Sequence, residues 1–488
     1  MSRLVIVSNR TPSTGPAAGG LAVALRKTLA ERDGFWFGWS GKLSEQPPRE
    51  ARFEEVDGLT VGKIDLTRQD HHAYYAGFSN SILWPAFHLR LDLTTFDGQW
   101  YEGYRRVNTR FAEALRPHLK PDDVIWVHDY HLIPLAAELR RLGARNRIGF
   151  YLHIPFPVAD TLFAIPHHLE LMRDLSHYDL VGMQAQRDIV AFNEFADHQA
   201  PLSLSGDPLK AVDFSKTIVE AFPIGSDPDA FARLAVSPAA NKMVRRMQRA
   251  MDEQRLILGV DRLDYSKGLP QRVEAYEKLL ANNPQLRRGV HLLQIAPPSR
   301  DTIKEYQHHS DQLDAMCGHV MGRFAEPDWQ PLTYVKRAYG QPSLAGLYRM
   351  ARIGLVTPLR DGMNLVAHEY VGSQNPEDPG VLVLSRFAGA AEIFEDALQV
   401  NPFDTDETAE AMRMGLSMPL EERRARWEGL MRAARTHSVD NWAARFLDRL
   451  GAMAGRARQR NASKGGMPTI ARDVLHLGSG TEQPSAPA

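Results

Sequence analysis

The sequence predicts an α/β protein built from two Rossmann-like, doubly wound domains, each with a parallel sheet, facing each other across a cleft. Three observations carry that expectation. Short apolar runs of strand length alternate with helix-length segments through both halves of the chain. The residues able to do chemistry stand just after those runs, where open parallel sheets bind ligands. The chain has 488 residues, 43% of them hydrophobic, which is enough for two or three domains with large cores.

Residues 4–7 form a buried first strand that ends in Ser8-Asn9-Arg10. A loop leads to Gly19-Gly20 and a helix to about Leu29, half of a βαβ unit. Its glycine spacing is not G-x-G-x-x-G, so it is no dinucleotide fingerprint. The strand 123–127 is closed by His128-Asp129-Tyr130-His131, and an apolar helix follows through Leu142. The strand 147–152 exits at His153-Ile154-Pro155-Phe156-Pro157. A short strand at 179–183 precedes a helix over 185–195. Residues 219–223 close the first half, and Ile224-Gly225-Ser226-Asp227 reads as the crossing linker. A second series follows, with strands at 256–260, 290–295, 353–356 and 381–384 and helices at 269–281, 300–315, 342–350 and 364–372. The expected division is therefore an N-terminal domain over 1–225 and a C-terminal domain over 226–440. A helix over 441–455 is expected to return to the first domain. Residues 456–488 read as a mostly disordered tail, because Gly, Ser, Pro, Ala and basic residues dominate there.

The most informative stretch is Val260-Asp261-Arg262-Leu263-Asp264-Tyr265-Ser266-Lys267-Gly268. It places Arg262 and Lys267 five residues apart at a strand exit, beside a helix start. That is a natural receptor for a diphosphate. A second charged strand end, Thr357-Pro358-Leu359-Arg360-Asp361-Gly362-Met363-Asn364, enters a helix whose first backbone N–H groups could meet a phosphate. Glu369 lies about one turn into that helix and could bond a ribose. Arg300, in Ala296-Pro297-Pro298-Ser299-Arg300, is a further cation after a strand and could grip a phosphate with its fork. In the first half, Arg10 and the Gly19-Gly20 pair suit close approach to a phosphate or sugar. Asp129 offers two acceptor oxygens to sugar hydroxyls. His153 precedes a rigid proline loop, and Tyr75 and Trp84 offer the aromatic faces that carbohydrate sites favour.

Composition excludes several classes. Formal net charge is −1, without the basic excess of an electrostatic nucleic-acid binder. The one cysteine, Cys317, rules out a disulfide framework within the chain and leaves no cysteine cluster for zinc. His128 and His131 flank Asp129, but adjacent side chains at a strand end point in different directions, so no metal is expected. No run reaches the length of a membrane span, and the first residues are too polar for a secretory signal. A cytoplasmic protein with no nucleic-acid or membrane partner is expected.

These motifs together resemble the bacterial trehalose-6-phosphate synthases, retaining glycosyltransferases of the two-domain GT-B type. The resemblance runs from about Ser2 to about Leu450. It rests on Val7-Ser8-Asn9-Arg10, Gly19-Gly20-Leu21, Trp39-Ser40-Gly41, Leu83-Trp84-Pro85, His128-Asp129-Tyr130-His131-Leu132, His153-Ile154-Pro155-Phe156-Pro157, the segment from Arg262 to Gly268, and Arg360-Asp361-Gly362-Met363-Asn364-Leu365. That family moves glucose from UDP-glucose to the anomeric hydroxyl of glucose 6-phosphate, giving α,α-trehalose 6-phosphate, a product associated with osmoprotection. The resemblance implies that Arg10, Tyr75 and Arg300 hold the acceptor phosphate region, while Trp84 and Asp129 border the acceptor sugar. It implies that Gly19 and Gly20 approach the sugar donor and that Arg262 and Lys267 clamp its diphosphate. Asp361 and the run Leu365, Val366, Ala367, His368 and Glu369 would hold the rest of the donor, with Tyr339 at the uracil. His153 would sit near the donor sugar and favour the α outcome.

The implied catalytic set is Arg262, Lys267, His153 and Asp129, acting by front-face substitution with no metal and no cofactor. No phosphatase-type Asp-x-Asp-x-Thr segment is present, so synthase activity alone is expected. Readings still open at this point are ADP- or GDP-glucose as donor, glycerol 3-phosphate as acceptor, a non-catalytic nucleotide-sugar sensor, and assembly as homodimer or homotetramer.

Overall fold

The computed structural model describes residues 2–12, 20–30, 32–46, 50–204, 212–251, 253–300 and 303–464. Two sheets organise them. The first contains β1 (Leu4–Arg10), β2 (Gly34–Ser44), β3 (Arg52–Val56), β4 (Leu59–Thr67), β5 (Val124–His128), β6 (Arg147–Tyr151), β7 (Leu180–Met183) and β8 (Ile218–Ala221), in the order β3-β4-β2-β1-β5-β6-β7-β8. All its neighbours are parallel except the β3/β4 hairpin. The second contains β9 (Arg255–Val260), β10 (Val290–Ile295), β11 (Leu332–Val335), β12 (Ile353–Val356), β13 (Val381–Ser385) and β14 (Leu398–Val400), in the order β11-β10-β9-β12-β13-β14, all parallel.

This strand order decides where ligands can go. From β1 the chain builds outward to β2 on one side and later to β5 on the other. The same reversal occurs at β9, between β10 and β12. Connections leave a switch point in opposite directions, so a crevice opens at the carboxyl ends of the two central strands. Arg10 and His128-Asp129 lie at the first switch point; Asp261 to Lys267 and Thr357 to Asp361 lie at the second.

The expected central strands are observed, with ends shifted by a few residues. Five were not expected at all: β2, β3 and β4 at one edge of the first sheet, and the edge strands β11 and β14 of the second. Strand β2 contains Trp36, Phe37, Gly38 and Trp39 followed by polar residues, so it lacks a uniform apolar run. Strand β3 is almost wholly exposed, with the pattern eeeeB. Neither shows the periodicity by which strands are found from sequence. Residues 71–83 form another unexpected element, the π-helix His71–Leu83, which continues into the helix Trp84–Phe87. Its wide i→i+5 turns set Tyr74 into the core and Tyr75 toward the cleft.

The helix Val439–Lys464 crosses back to the first domain. Phe446 stacks on Trp126 of β5 with ring centroids 4.8 Å apart, and Trp442 packs against the same ring at 4.9 Å, tilted by 39°. Phe446 also fits over Gly149 and Gly182, where an added Cβ would lie 2.8 Å from its ring. Arg449 pairs with Glu220 through Nε, 2.9 Å from Oε2. The helix runs nine residues into the stretch read as a disordered tail, which corrects that expectation as far as Lys464; 465–488 lie outside the described residues. Among the described residues no helix is long and apolar enough to cross a membrane.

Replacing Phe446 by Ala removes a fully buried ring from this seam. Phe446→Ala is expected to destabilise the N-terminal domain by about 3–5 kcal/mol, read as a lower midpoint of its transition in denaturant. An unchanged midpoint would mean the returning helix contributes little.

Candidate active site

The N-terminal wall begins at Arg10, the last residue of β1. Its guanidinium lies 5.6 Å from the Trp39 ring and lines Gly41, where an added Cβ would meet Nη2 at 2.6 Å. Trp39 contacts Tyr75 at 6.0 Å, and Tyr75 stacks on His131 at 5.8 Å with an 11° tilt. Asp129, at the end of β5, has a positive φ of 77°. For a non-glycine residue this is a strained conformation, of the kind that collects at functional sites. It aims the carboxylate at the neighbouring strand exit, where Oδ1 accepts the His153 N–H at 3.2 Å. Burial pushes the Asp129 carboxyl up to about 6, against the opposing pull of the His153 and Tyr130 N–H groups, Arg300 and Arg262. The His153 ring bonds His128 at 3.1 Å, and burial pushes it down to about 3, so it is neutral.

The C-terminal wall begins after β9. Asp264 accepts the Ser266 N–H at 2.9 Å and so fixes the turn that carries Lys267. Lys267 Nζ lies 2.5 Å from Asp361 Oδ2, and Asn364 donates to the same oxygen at 3.1 Å. Beneath them Arg272, fully buried, donates to Asp261 at 2.8 Å, Gln294 at 3.0 Å and Thr357 at 3.2 Å. Sequence reading missed this layer, because one arginine in a helix carries no signal of burial. Asn364, with φ 75°, caps the next helix by accepting the Val366 N–H at 3.2 Å, and the Ala367 N–H bonds the Asn364 carbonyl. Two amides expected to be free for a phosphate are therefore engaged within the chain.

The walls meet at several points. The Arg300 guanidinium stacks on Trp84 at 3.8 Å, and Arg262 lies 5.8 Å from the same ring. Arg300 also donates to Tyr130 Oη at 3.1 Å. Gly362 abuts the exit of β6, where an added Cβ would lie 2.2 Å from the His153 carbonyl oxygen, so only glycine fits. Glu392 accepts the Gln186 N–H at 2.7 Å and the Arg187 Nε–H at 2.9 Å, a carboxylate placed on a helix N-terminus across the domain boundary.

The structure thus gathers Arg10, Tyr75, Trp84, Asp129, His153, Arg262, Lys267, Arg300 and Asp361 around one cleft. Glu369 stands deeper in the second domain. Its carboxyl accepts from Tyr348 Oη at 3.1 Å, and burial pushes it up to about 7. Leu365 and Val366 are half-buried at the start of their helix, and Ala367 is buried. His368 follows in the same helix. Its ring is fully buried against Phe394 at 4.6 Å, with neither nitrogen bonded, so only its backbone can face a ligand. Tyr339, which follows β11, lines a cavity of about 580 Å³ that runs along the second sheet, with Ile295 and Val335 at the carboxyl ends of their strands and Gln254, His291 and Gln330 at the amino ends. Gly20 opens the helix Gly20–Ala30, and Gly19 lies outside the described residues. Sequence reading also missed His88, buried 4.2 Å from Trp84 with Nδ1 on the Trp84 carbonyl at 2.7 Å. Among the described residues no group of three or more His, Cys, Asp or Glu is arranged to hold a metal ion.

Comparison with known proteins adds the following. The family model described as glycosyltransferase family 20 matches residues 6–452. A trehalose-6-phosphate synthase of Sinorhizobium fredii is 49% identical over 465 residues, covering 93% of this chain and all of its own length. The solved UDP-forming α,α-trehalose-phosphate synthase of Burkholderia xenovorans, in complex with glucose-6-phosphate, is 47% identical with a TM-score of 0.87, covering 92% of this chain and all of its own. A structure from E. coli bound with UDP-2-fluoro glucose is 41% identical with a TM-score of 0.86, covering 92% of this chain and 99% of its own.

The raised Asp129 carboxyl makes a testable link to stability. A carboxyl whose pKa rises on folding binds its proton more tightly in the folded state. It therefore penalises folding above about 6 and ceases to do so below the unfolded value of about 4. Asp129→Asn is expected to be more stable than the parent at pH 7.5, with the difference shrinking toward pH 4 in denaturant titrations. A difference that does not change with pH would show that the carboxyl is not perturbed.

Proposed function

The chain belongs to glycosyltransferase family 20, and from that premise we propose that its cleft transfers glucose from UDP-glucose to the anomeric hydroxyl of glucose 6-phosphate, giving α,α-trehalose 6-phosphate and UDP. The observation that carries this reading is the meeting of two chemically different walls. One presents aromatic faces and a carboxylate suited to a sugar: Tyr75, Trp84 and Asp129. The other presents the cations Arg262 and Lys267 at a switch point suited to a diphosphate.

In this reading Arg10, Tyr75 and Arg300 hold the acceptor phosphate, and Trp84 and Asp129 border the acceptor sugar. Arg262 and Lys267 clamp the diphosphate. Asp361, Glu369 and the backbone of Leu365 and His368 hold the donor glucose and ribose, the base lies near Tyr339, and Gly20 approaches the donor. Retention without a covalent intermediate follows if the acceptor hydroxyl attacks from the face that UDP leaves. The departing phosphate oxygen then takes the proton of that hydroxyl. Charge grows on the diphosphate as the bond breaks, so Arg262 and Lys267 stabilise the transition state more than the ground state. Lys267 is bonded to Asp361, and donor binding redirects its hydrogen bonds to phosphate. His153 is neutral here, so it can face the oxocarbenium-like sugar without adding a repelling charge. The two protein cations supply the charge that a metal would otherwise bring.

The direct test is nucleotide release from UDP-, ADP- and GDP-glucose, each with glucose 6-phosphate, with the sugar product identified by NMR. UDP release with an α,α-1,1 linkage is expected. Preference for another nucleotide would change the substrate assignment, and binding without turnover would indicate a sensor. Arg262→Ala and Lys267→Ala should each lower kcat by about 10²–10³ at saturating donor; unchanged turnover would remove them from the transition state. Activity is expected to survive excess chelator, and loss restored by Mg²⁺ would overturn the metal-free scheme.

A further inference from the structure

Arg300 belongs to the C-terminal domain, yet it reaches into the N-terminal wall. It does so from a backbone with φ 52°, the left-handed region, where a non-glycine residue needs surrounding contacts to hold it. Those contacts come from both domains. On its own side, Nη1 donates to Tyr306 Oη at 2.5 Å and to Asp264 Oδ2 at 3.3 Å, and Tyr306 Oη donates to the same Asp264 oxygen at 3.0 Å. On the far side, Nη2 donates to Tyr130, which in turn donates to Asn80 at 2.8 Å, and the guanidinium plane lies on Trp84. Asp264 and Tyr306 are essentially buried, and Tyr265, Ile303 and Tyr306 pack into the apolar core of the N-terminal domain although all three come from the second half of the chain.

A guanidinium has five N–H donors. The bonds just described use the two on Nη1 and one on Nη2. They leave the Nε–H and the second Nη2 hydrogen, a pair on one edge of the group that matches two phosphate oxygens. The Asp264 carboxylate also has two tasks. One oxygen holds the turn bearing Lys267 and the other orients Arg300. A single buried group therefore fixes a cation on the donor side and a cation on the acceptor side.

We propose that Asp264 and Tyr306 are positioning residues that aim Arg300 across the cleft, so that the acceptor-phosphate subsite is assembled only when the two domains are closed. The inference rests on the reading of Arg300 as a ligand of the glucose 6-phosphate phosphate. Domain closure then completes the acceptor site, and the donor side and acceptor side are coupled through Asp264. Neither residue touches substrate; each acts through Arg300, and Asp264 also through the Lys267 turn.

Tyr306→Phe tests this with little change in volume. It is expected to raise the KM for glucose 6-phosphate about tenfold, the scale of one hydrogen bond to a charged group. The UDP-glucose KM, the Kd for UDP and the thermal midpoint should stay near those of the parent. Inorganic phosphate, used as a competitor against glucose 6-phosphate, should lose affinity in parallel, because it reports the phosphate subsite alone. Tyr130→Phe, from the opposite domain, should reproduce this signature. The double variant should then fall short of the product of the two effects, since both act through one guanidinium. Asp264→Asn, which keeps an acceptor for the Ser266 N–H, should raise the glucose 6-phosphate KM at least as far.

An unchanged acceptor KM in Tyr306→Phe, or an equal loss of UDP and phosphate affinity, would overturn the proposal, as would independent multiplicative effects of Tyr306→Phe and Tyr130→Phe. Failure of the parent protein to form product from UDP-glucose and glucose 6-phosphate would instead overturn the functional reading, so the two failures are distinguishable.

Discussion

Crowding of like charge at one end of the cleft is the constraint around which the site is arranged. Arg262, Lys267 and Arg300 converge there, and in the proposed reading they hold a diphosphate and a phosphate close together. Without ligand those cations would repel. The protein answers with Asp264 and Asp361, and with the Trp84 ring, whose face attracts both guanidiniums. Burial alone would raise the Asp264 carboxyl, but Arg300, Arg262 and Lys267 hold it well below the usual carboxylate range. Held so low, that group is ionised at neutral pH.

Beneath this surface layer lies a second, buried one. Arg272 spans Asp261, Gln294 and Thr357, and Asn364 joins Asp261 at 3.3 Å to Asp361 at 3.1 Å. A buried ion pair adds little net stability, but removing one partner strands the other in a low-dielectric interior. Its use here is geometric. It ties the exits of β9 and β12 together at the switch point, so the two loops that carry the cleft's charges keep a fixed spacing.

Legibility of the site in the sequence followed a physical rule. Residues that stand at a strand exit, such as Arg10, Asp129, Arg262 and Asp361, could be singled out because the local pattern of apolar run, polar exit and helix start announces them. Residues that act through others could not. Tyr306 sits in a helix 42 positions beyond its partner Asp264, Tyr130 looks like one more aromatic in a dense motif, and Arg272 reads as a solvated helix cation although it is wholly buried. The edge strands escaped for a related cause. A strand such as β3, which buries almost nothing, has no apolar alternation to display, and its pairing with β4 depends on the hairpin rather than on its own residues.

The sequence by itself determined the class of fold, the central strands of both sheets, the exit motifs and the absence of a cysteine framework, because each depends on local periodicity or on composition. Tertiary structure decided which exits share a cleft, which carboxylate answers which cation, and which way His368 faces. Those outcomes depend on contacts between residues tens to hundreds of positions apart. The Lys267–Asp361 pair spans 94 residues and the Arg300–Tyr130 bond spans 170. Such pairings arise from the order of strands in the two sheets and the closure of one domain on the other, neither of which any local window of sequence contains.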